Sequence, residues 1–223
     1  MSAHFLVRPN TVEEEVDRLR HTFKKRDFYL KEDYVPQLPV GLELKSWTTF
    51  NENSIRESVI KEYDSEVYAR CVKILDSRLK RVDPVFPILK KLNNLWGFKV
   101  YPKYTVKLTK YGVGGSYDLI GNSVRIRITS TGMFPKSPEQ IVVHEIIHIG
   151  IEQILVREYD LNHSEKEYLV DLIMIHLLDD YLPGYKEVYS EQINMNRIEG
   201  FLDLIPYFSS KEFPNYVRGY KKG

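Results

Sequence analysis

The sequence predicts an α+β chain: a small antiparallel or mixed twisted sheet over a helical core, preceded by a mainly helical N-terminal part. Three observations carry this reading. Apolar residues recur at helical spacing in three blocks between residues 11 and 97. Period-two alternation is confined to residues 104–128, and two strongly apolar helical stretches follow between 138 and 182. The change of texture after Gly97 divides the chain into an N-terminal region, 1–97, of unassigned role, and a C-terminal region, 98–223.

In chain order, Thr11 followed by Glu14 is a capping-box pattern. Val12, Val16, Leu19 and Phe23 then line one helical face. Residues 35–50 carry two prolines and a glycine and read as an extended connection. Helical spacing resumes from Asn53 to about Lys80, and Asp83-Pro84 reads as the start of a short helix ending near Gly97. Val106 and Leu108 alternate with polar neighbours as in a half-buried strand, and Gly114-Gly115 marks a turn. Gly121-Asn122 then joins a hairpin whose second strand points Val124, Ile126 and Ile128 one way and Arg125 and Arg127 the other. Ser137, Pro138 and Gln140 open the next helix, which is apolar on most sides and therefore central and buried. A further helix begins near Ser164 and stops at Pro183-Gly184. The C-terminal remainder reads as one more short helix and an irregular tail.

Composition bounds the function. With 223 residues, 43% of them hydrophobic and 13% aromatic, the chain can bury a core without covalent staples. A net charge of +1, from 32 basic and 31 acidic residues, gives no reason to expect nucleic acid or anionic lipid as a partner. Cys71 is the only cysteine, which excludes an intramolecular disulfide framework and a thiolate metal cage and fits a reducing, cytoplasmic setting. The opening "MSAHFLVRPN" lacks a basic start followed by an apolar core, so no secretory leader is expected. The most apolar stretches are too short to span a bilayer and are interrupted by His144, Glu145, His148, Asp171 and His176.

Those interruptions carry the chemistry. "VVHEIIHIG", residues 142–150, places His144 and His148 four apart on one helical face, close enough to grip a single ion, with Glu145 at the side of that face. Zinc suits two neutral imidazoles, and a catalytic site wants a third protein ligand and an open fourth position. Glu145 is then placed to take a proton from water. The competing reading is a core helix with stray polar residues. Unpaired imidazoles and a carboxylate are costly on so apolar a helix, which favours a site.

A third ligand is offered by "SEKEYLVDLI", where Glu167 and Asp171 stand four apart on one face of the following helix. With this E-x-x-x-D, nineteen residues from His148 to Glu167, the chain resembles the gluzincin metallopeptidases, the thermolysin-type clan. That resemblance covers about residues 104–182. It implies that His144, His148 and Glu167 bind one zinc ion per chain, that Glu145 is general base and then acid, and that Asp171 orients a ligating histidine. The metzincin pattern is excluded, because Ile151 and Ile154 occupy its glycine and histidine positions. "HSEKE" lacks the asparagine common before the gluzincin glutamate.

Competing assignments remain at several positions. Ser164 and Glu167 also read as a capping box, Glu165 as a solvated neighbour, and His163 as an alternative third ligand. Tyr159 is a candidate hydrogen-bond donor to an oxyanion, His176 a core or cap histidine, and Cys71 a small buried hydrophobe. The expected activity is zinc-dependent hydrolysis of a peptide bond in a peptide or protein substrate, held in a cleft between the sheet edge and the histidine helix. The alternatives are a zinc-stabilised binding module without turnover, a zinc hydrolase using His163, and an enzyme held latent by its aromatic C-terminal tail.

Overall fold

The capping box at Thr11 does start a helix: its side chain accepts from the Glu14 N–H, and the Glu14 carboxylate accepts from the Thr11 N–H. A computed structural model describes residues 4–185 and 205–222. Among them the element order is β1 (His4–Pro9), α1 (Val12–Lys24), α2 (Arg26–Lys31), α3 (Glu52–Glu62), α4 (Ser65–Leu79) and α5 (Val85–Trp96). Then come β2 (Lys103–Thr109), β3 (Gly115–Asp118), β4 (Ser123–Arg127), α6 (Pro138–Ile151), α7 (His163–Leu178) and α8 (Phe213–Lys222). The chain is α+β, with one mixed four-stranded sheet in the order β1-β2-β4-β3. No helix among the described residues is long and apolar enough to cross a membrane.

Two compact units emerge, and both draw on the segments before and after Gly97. The sheet unit comprises Phe5–Arg78 and Thr105–Val142. Its hairpin, β3 with β4, is antiparallel as the sequence suggests, and its connection, residues 119–122, ends on Gly121 and Asn122 at φ 76 and 48, left-handed values that glycine and asparagine tolerate. Two features make the sheet mixed, one of the two forms the sequence allows. β2 pairs with β4 in parallel, Val106 opposite Val124 and Leu108 opposite Ile126. The N-terminal region, read as mainly helical, begins with strand β1 on the far side of β2. Bonds from His4 N–H to Pro102 O and from Asn10 N–H to Leu108 O advance together along both strands, so this pair is parallel too.

The inward faces follow the alternation: Val106, Leu108, Val124, Ile126 and Ile128 are buried. A separate core of Val16, Leu19, Leu38, Trp47, Ile55, Val59 and Tyr111 holds α1, α3 and the irregular 35–50 segment together. The Glu15 carboxylate is fully buried. It accepts from Lys110 N–H at 2.9 Å, Thr109 Oγ1 at 2.5 Å and the Tyr68 hydroxyl, which ties α1 to β2 and α4. Cys71 is a buried free thiol donating to Gly132 O, as expected of a small core residue.

The second unit comprises Leu79–Tyr104 and the described chain from Val143 onward, with His4. α5 starts one residue later than the Asp83-Pro84 reading, with Pro84 as its cap, and ends at Gly97, whose φ of 84 closes the last turn. Trp96 donates from Nε1 to Phe208 O at 2.9 Å and packs its ring 4.9 Å from Phe213, which anchors α8. Residues 186–204, the first part of the C-terminal remainder read as a short helix and an irregular tail, lie outside the described residues.

Candidate metal centre

Helix α6 opens at Pro138, whose fixed φ and missing N–H suit a first turn. Val142, Val143, Ile146, Ile147, Ile149 and Ile151 are all buried, so the helix is apolar on nearly every side. His144, Glu145 and His148 are buried among them. Polar groups in such surroundings are costly unless met by partners, and the partners define the site.

His144 and His148 share a face, and their Nε2 atoms stand 3.0 Å apart. Oε2 of Glu167, on α7, lies 3.2 Å from His144 Nε2 and 3.1 Å from His148 Nε2. These three atoms form a nearly equilateral triangle, and the three residues can hold a metal ion. The other oxygen of Glu167, Oε1, faces His163 Nδ1 and Lys166 Nζ, each at 3.5 Å. His163 thus approaches the side of the carboxylate turned away from the two imidazoles.

The start of α7 corrects two sequence readings. The capping box is Asn162 with Glu165, whose carboxylate accepts from the Asn162 N–H at 2.8 Å while Glu165 N–H donates to Asn162 Oδ1 at 3.0 Å. Glu165 is therefore a buried capping residue, not a solvated one. Glu167 is released from the capping role that Ser164 suggested, because the helix starts earlier. His176, expected in the core or at a cap, is exposed in the last turn of α7.

The far side of His144 shows a residue the sequence did not single out. The Tyr185 hydroxyl donates to Asp171 Oδ1 at 2.5 Å and lies 2.7 Å from His144 Nδ1. Asp171 itself is 3.6 Å from that nitrogen. Among sixteen tyrosines Tyr185 has no distinguishing neighbour pattern. Its signal was positional, one residue past the Pro183-Gly184 helix stop. Tyr159 lies after a six-residue π-helical segment, Glu152–Arg157, with the Arg218 guanidinium 5.6 Å over its ring.

Burial and neighbouring charges shift the titration of each group. Burial pushes the His148 imidazole down to about 3, so it is neutral near pH 7, as a metal ligand must be. Burial also works against charge on His144, but the Glu167, Glu145 and Asp171 carboxylates together outweigh it and raise its pKa. Desolvation opposes charge on Glu167, yet the two imidazoles overcome it and hold the carboxyl well below its ordinary range. Burial and Asp171 keep Tyr185 a protonated phenol. The Glu145 charge also acts on both His144 and Tyr185 and raises the pKa of each.

No protein-family model, curated protein or solved structure matches this chain. The donor set and its geometry stand on their own. Two imidazole nitrogens and one carboxylate oxygen converge, and a carboxylate outside the triangle is within electrostatic reach.

Proposed function

We propose that this protein is a zinc-dependent peptidase in which His144, His148 and Glu167 hold the ion and Glu145 is general base and acid. The observation that carries the reading is the triangle of ligand atoms with edges of 3.0, 3.1 and 3.2 Å. In tetrahedral zinc sites with bonds of about 2.0–2.1 Å, ligand atoms stand roughly 3.3 Å apart, so this triangle suits zinc after shifts of a few tenths of an ångström. Three protein ligands also leave one coordination position for water or substrate.

Bound zinc supplies Lewis acidity to a carbonyl oxygen and makes water more acidic. The chain's own residues do the rest. Glu145, next to His144 on α6, takes the proton of the attacking water and returns it to the leaving amine nitrogen, splitting the peptide bond into acid and amine. Lys166 and His163 hold Oε1 of Glu167, which leaves Oε2 as its ligating atom. The peptide substrate comes from the gluzincin resemblance, and a cytoplasmic setting belongs to the same proposal.

The experiment is metal analysis of the purified protein with and without chelator, alongside cleavage of a denatured-protein library. One zinc per chain and chelator-sensitive cleavage are expected. Glu145→Gln keeps its zinc while cleavage falls about 10²–10⁴-fold. Cleavage that survives Glu145→Gln or zinc removal overturns the proposal. A zinc-loaded wild type inactive on the whole library supports the binding-module alternative.

A further inference from the structure

We propose that Tyr185 is a positioning residue of this metal centre: its hydroxyl, set between His144 Nδ1 and Asp171 Oδ1, fixes the His144 imidazole with a bare Nε2 facing His148 and Glu167. The inference rests on the metal-centre reading above and adds a residue to it. The gluzincin resemblance implies that Asp171 orients a histidine, yet the gap from Asp171 Oδ1 to His144 Nδ1 is 3.6 Å, too long for a hydrogen bond. The Tyr185 oxygen fills that gap, 2.5 Å from Asp171 and 2.7 Å from His144.

The direction of this relay follows from valence. An ionised carboxylate only accepts, so the phenol spends its one hydrogen on Asp171 and has only a lone pair to offer His144. His144 Nδ1 must therefore carry the ring hydrogen. A neutral imidazole has one N–H, and Nε2 is left bare at the triangle. α7 thus works on both nitrogens of His144: Glu167 meets Nε2, and Asp171, one turn on, governs Nδ1 through Tyr185. The chain delivers Tyr185 by a turn at Gly184, whose φ of 74 suits glycine, and a Cβ there would meet only open space.

The test uses the full chain as wild type, Tyr185→Phe, Asp171→Asn, the double variant and His144→Ala. Zinc affinity is read by competition with a chromogenic chelator. The His144 Nδ1–H signal of the zinc form is read by NMR on protein labelled with ¹⁵N-histidine. Tyr185→Phe is expected to weaken zinc binding about 10–100-fold and to speed exchange of that proton, read on protein that the melt shows to be folded. Asp171→Asn offers the phenol a donor, which lets the relay reverse, so it weakens binding too. In that background Tyr185→Phe costs nothing further. Wild-type affinity with an unmoved His144 signal in Tyr185→Phe overturns the proposal. Should that variant unfold, Gly184→Ala, which strains only the delivering turn, must show the same weakening in milder form, and wild-type affinity there overturns it as well. A wild type that holds no zinc, or His144→Ala that binds as wild type does, overturns the metal-centre reading itself, and the relay's purpose with it.

Discussion

At the scale of single residues, the glutamates of α7 divide labour according to where the helix starts. Glu165 closes the capping box with Asn162, and Glu167 turns inward to the imidazoles. Sequence alone offered both roles to Glu167, because Ser164 and Asn162 are each capping residues and their spacing to a glutamate is the same. The two variants should therefore separate. Glu165→Ala is expected to lower the unfolding free energy by about 1 kcal/mol and leave zinc affinity unchanged. Glu167→Ala should abolish tight zinc binding, since two imidazoles alone make a weak site. Isothermal titration with zinc and denaturant melts of the same preparations read both. Loss of zinc in the Glu165 variant alone would move the ligand. The closeness of His144 and His148 was legible because a helix turns a four-residue spacing into proximity. Tyr185 was not, since its approach to His144 is tertiary and leaves no mark on spacing.

At the scale of elements, close packing around α6 sets a sharper constraint than helix propensity. Alanine is ordinarily about 1 kcal/mol better than glycine inside a helix. At Gly150, however, a Cβ would stand 2.1 Å from the ring of the fully buried Phe98, so one of the two must shift. Lys99 N–H also donates to Gly150 O at 3.0 Å, which fixes the two segments at this separation. Overpacking of that kind costs about 1–3 kcal/mol, so Gly150→Ala should be destabilising despite its propensity gain. Adding Phe98→Leu should recover part of the loss in a double-mutant cycle, whereas strictly additive losses would count against the contact. A second element-scale expectation concerns the anchor of α1. Glu14 is held well below the ordinary carboxylate range, first by its paired hydrogen bonds with Arg8, at 2.5 and 2.6 Å, and also by Lys107. The unfolded chain takes up that proton first as pH falls below about 4.3, so this stabilisation is present above that pH and is lost as pH drops toward the depressed folded value. Glu14→Gln should lower the urea midpoint at pH 7 and flatten its decline below pH 4.3. An unaltered acid limb would assign the decline to other carboxylates. Helix starts and the hairpin were readable because capping and turn chemistry are local. β1 was not: Arg8 and Pro9 interrupt its pattern, its residues are at most half-buried, and its partner β2 lies about a hundred residues away.

At the scale of the whole molecule, the division into two units would make the contribution of an ion at this centre regional. Every ligand atom of the centre, and Asp171 and Tyr185 behind it, belongs to the unit of Leu79–Tyr104 and the chain from Val143 onward. The core of Val16, Leu19, Leu38, Trp47, Ile55, Val59 and Tyr111 belongs wholly to the other. A ligand that binds only the folded state stabilises what it binds by RT ln(1 + [L]/Kd), about 2.7 kcal/mol at a hundredfold excess over Kd. Without an ion, His144, His148 and Glu167 keep mutually close polar atoms in an apolar setting, a cost that a bound ion would offset. Chelation is therefore expected to raise hydrogen exchange in residues 143–151 and 163–178 by one to two orders of magnitude while α1 and α3 exchange as before. Acidification should mimic chelation once the imidazoles take up protons, because only neutral imidazole ligates. Exchange that rises equally in both units would mean that they unfold as one, and exchange unchanged in both would remove the ion from the stability of this fold.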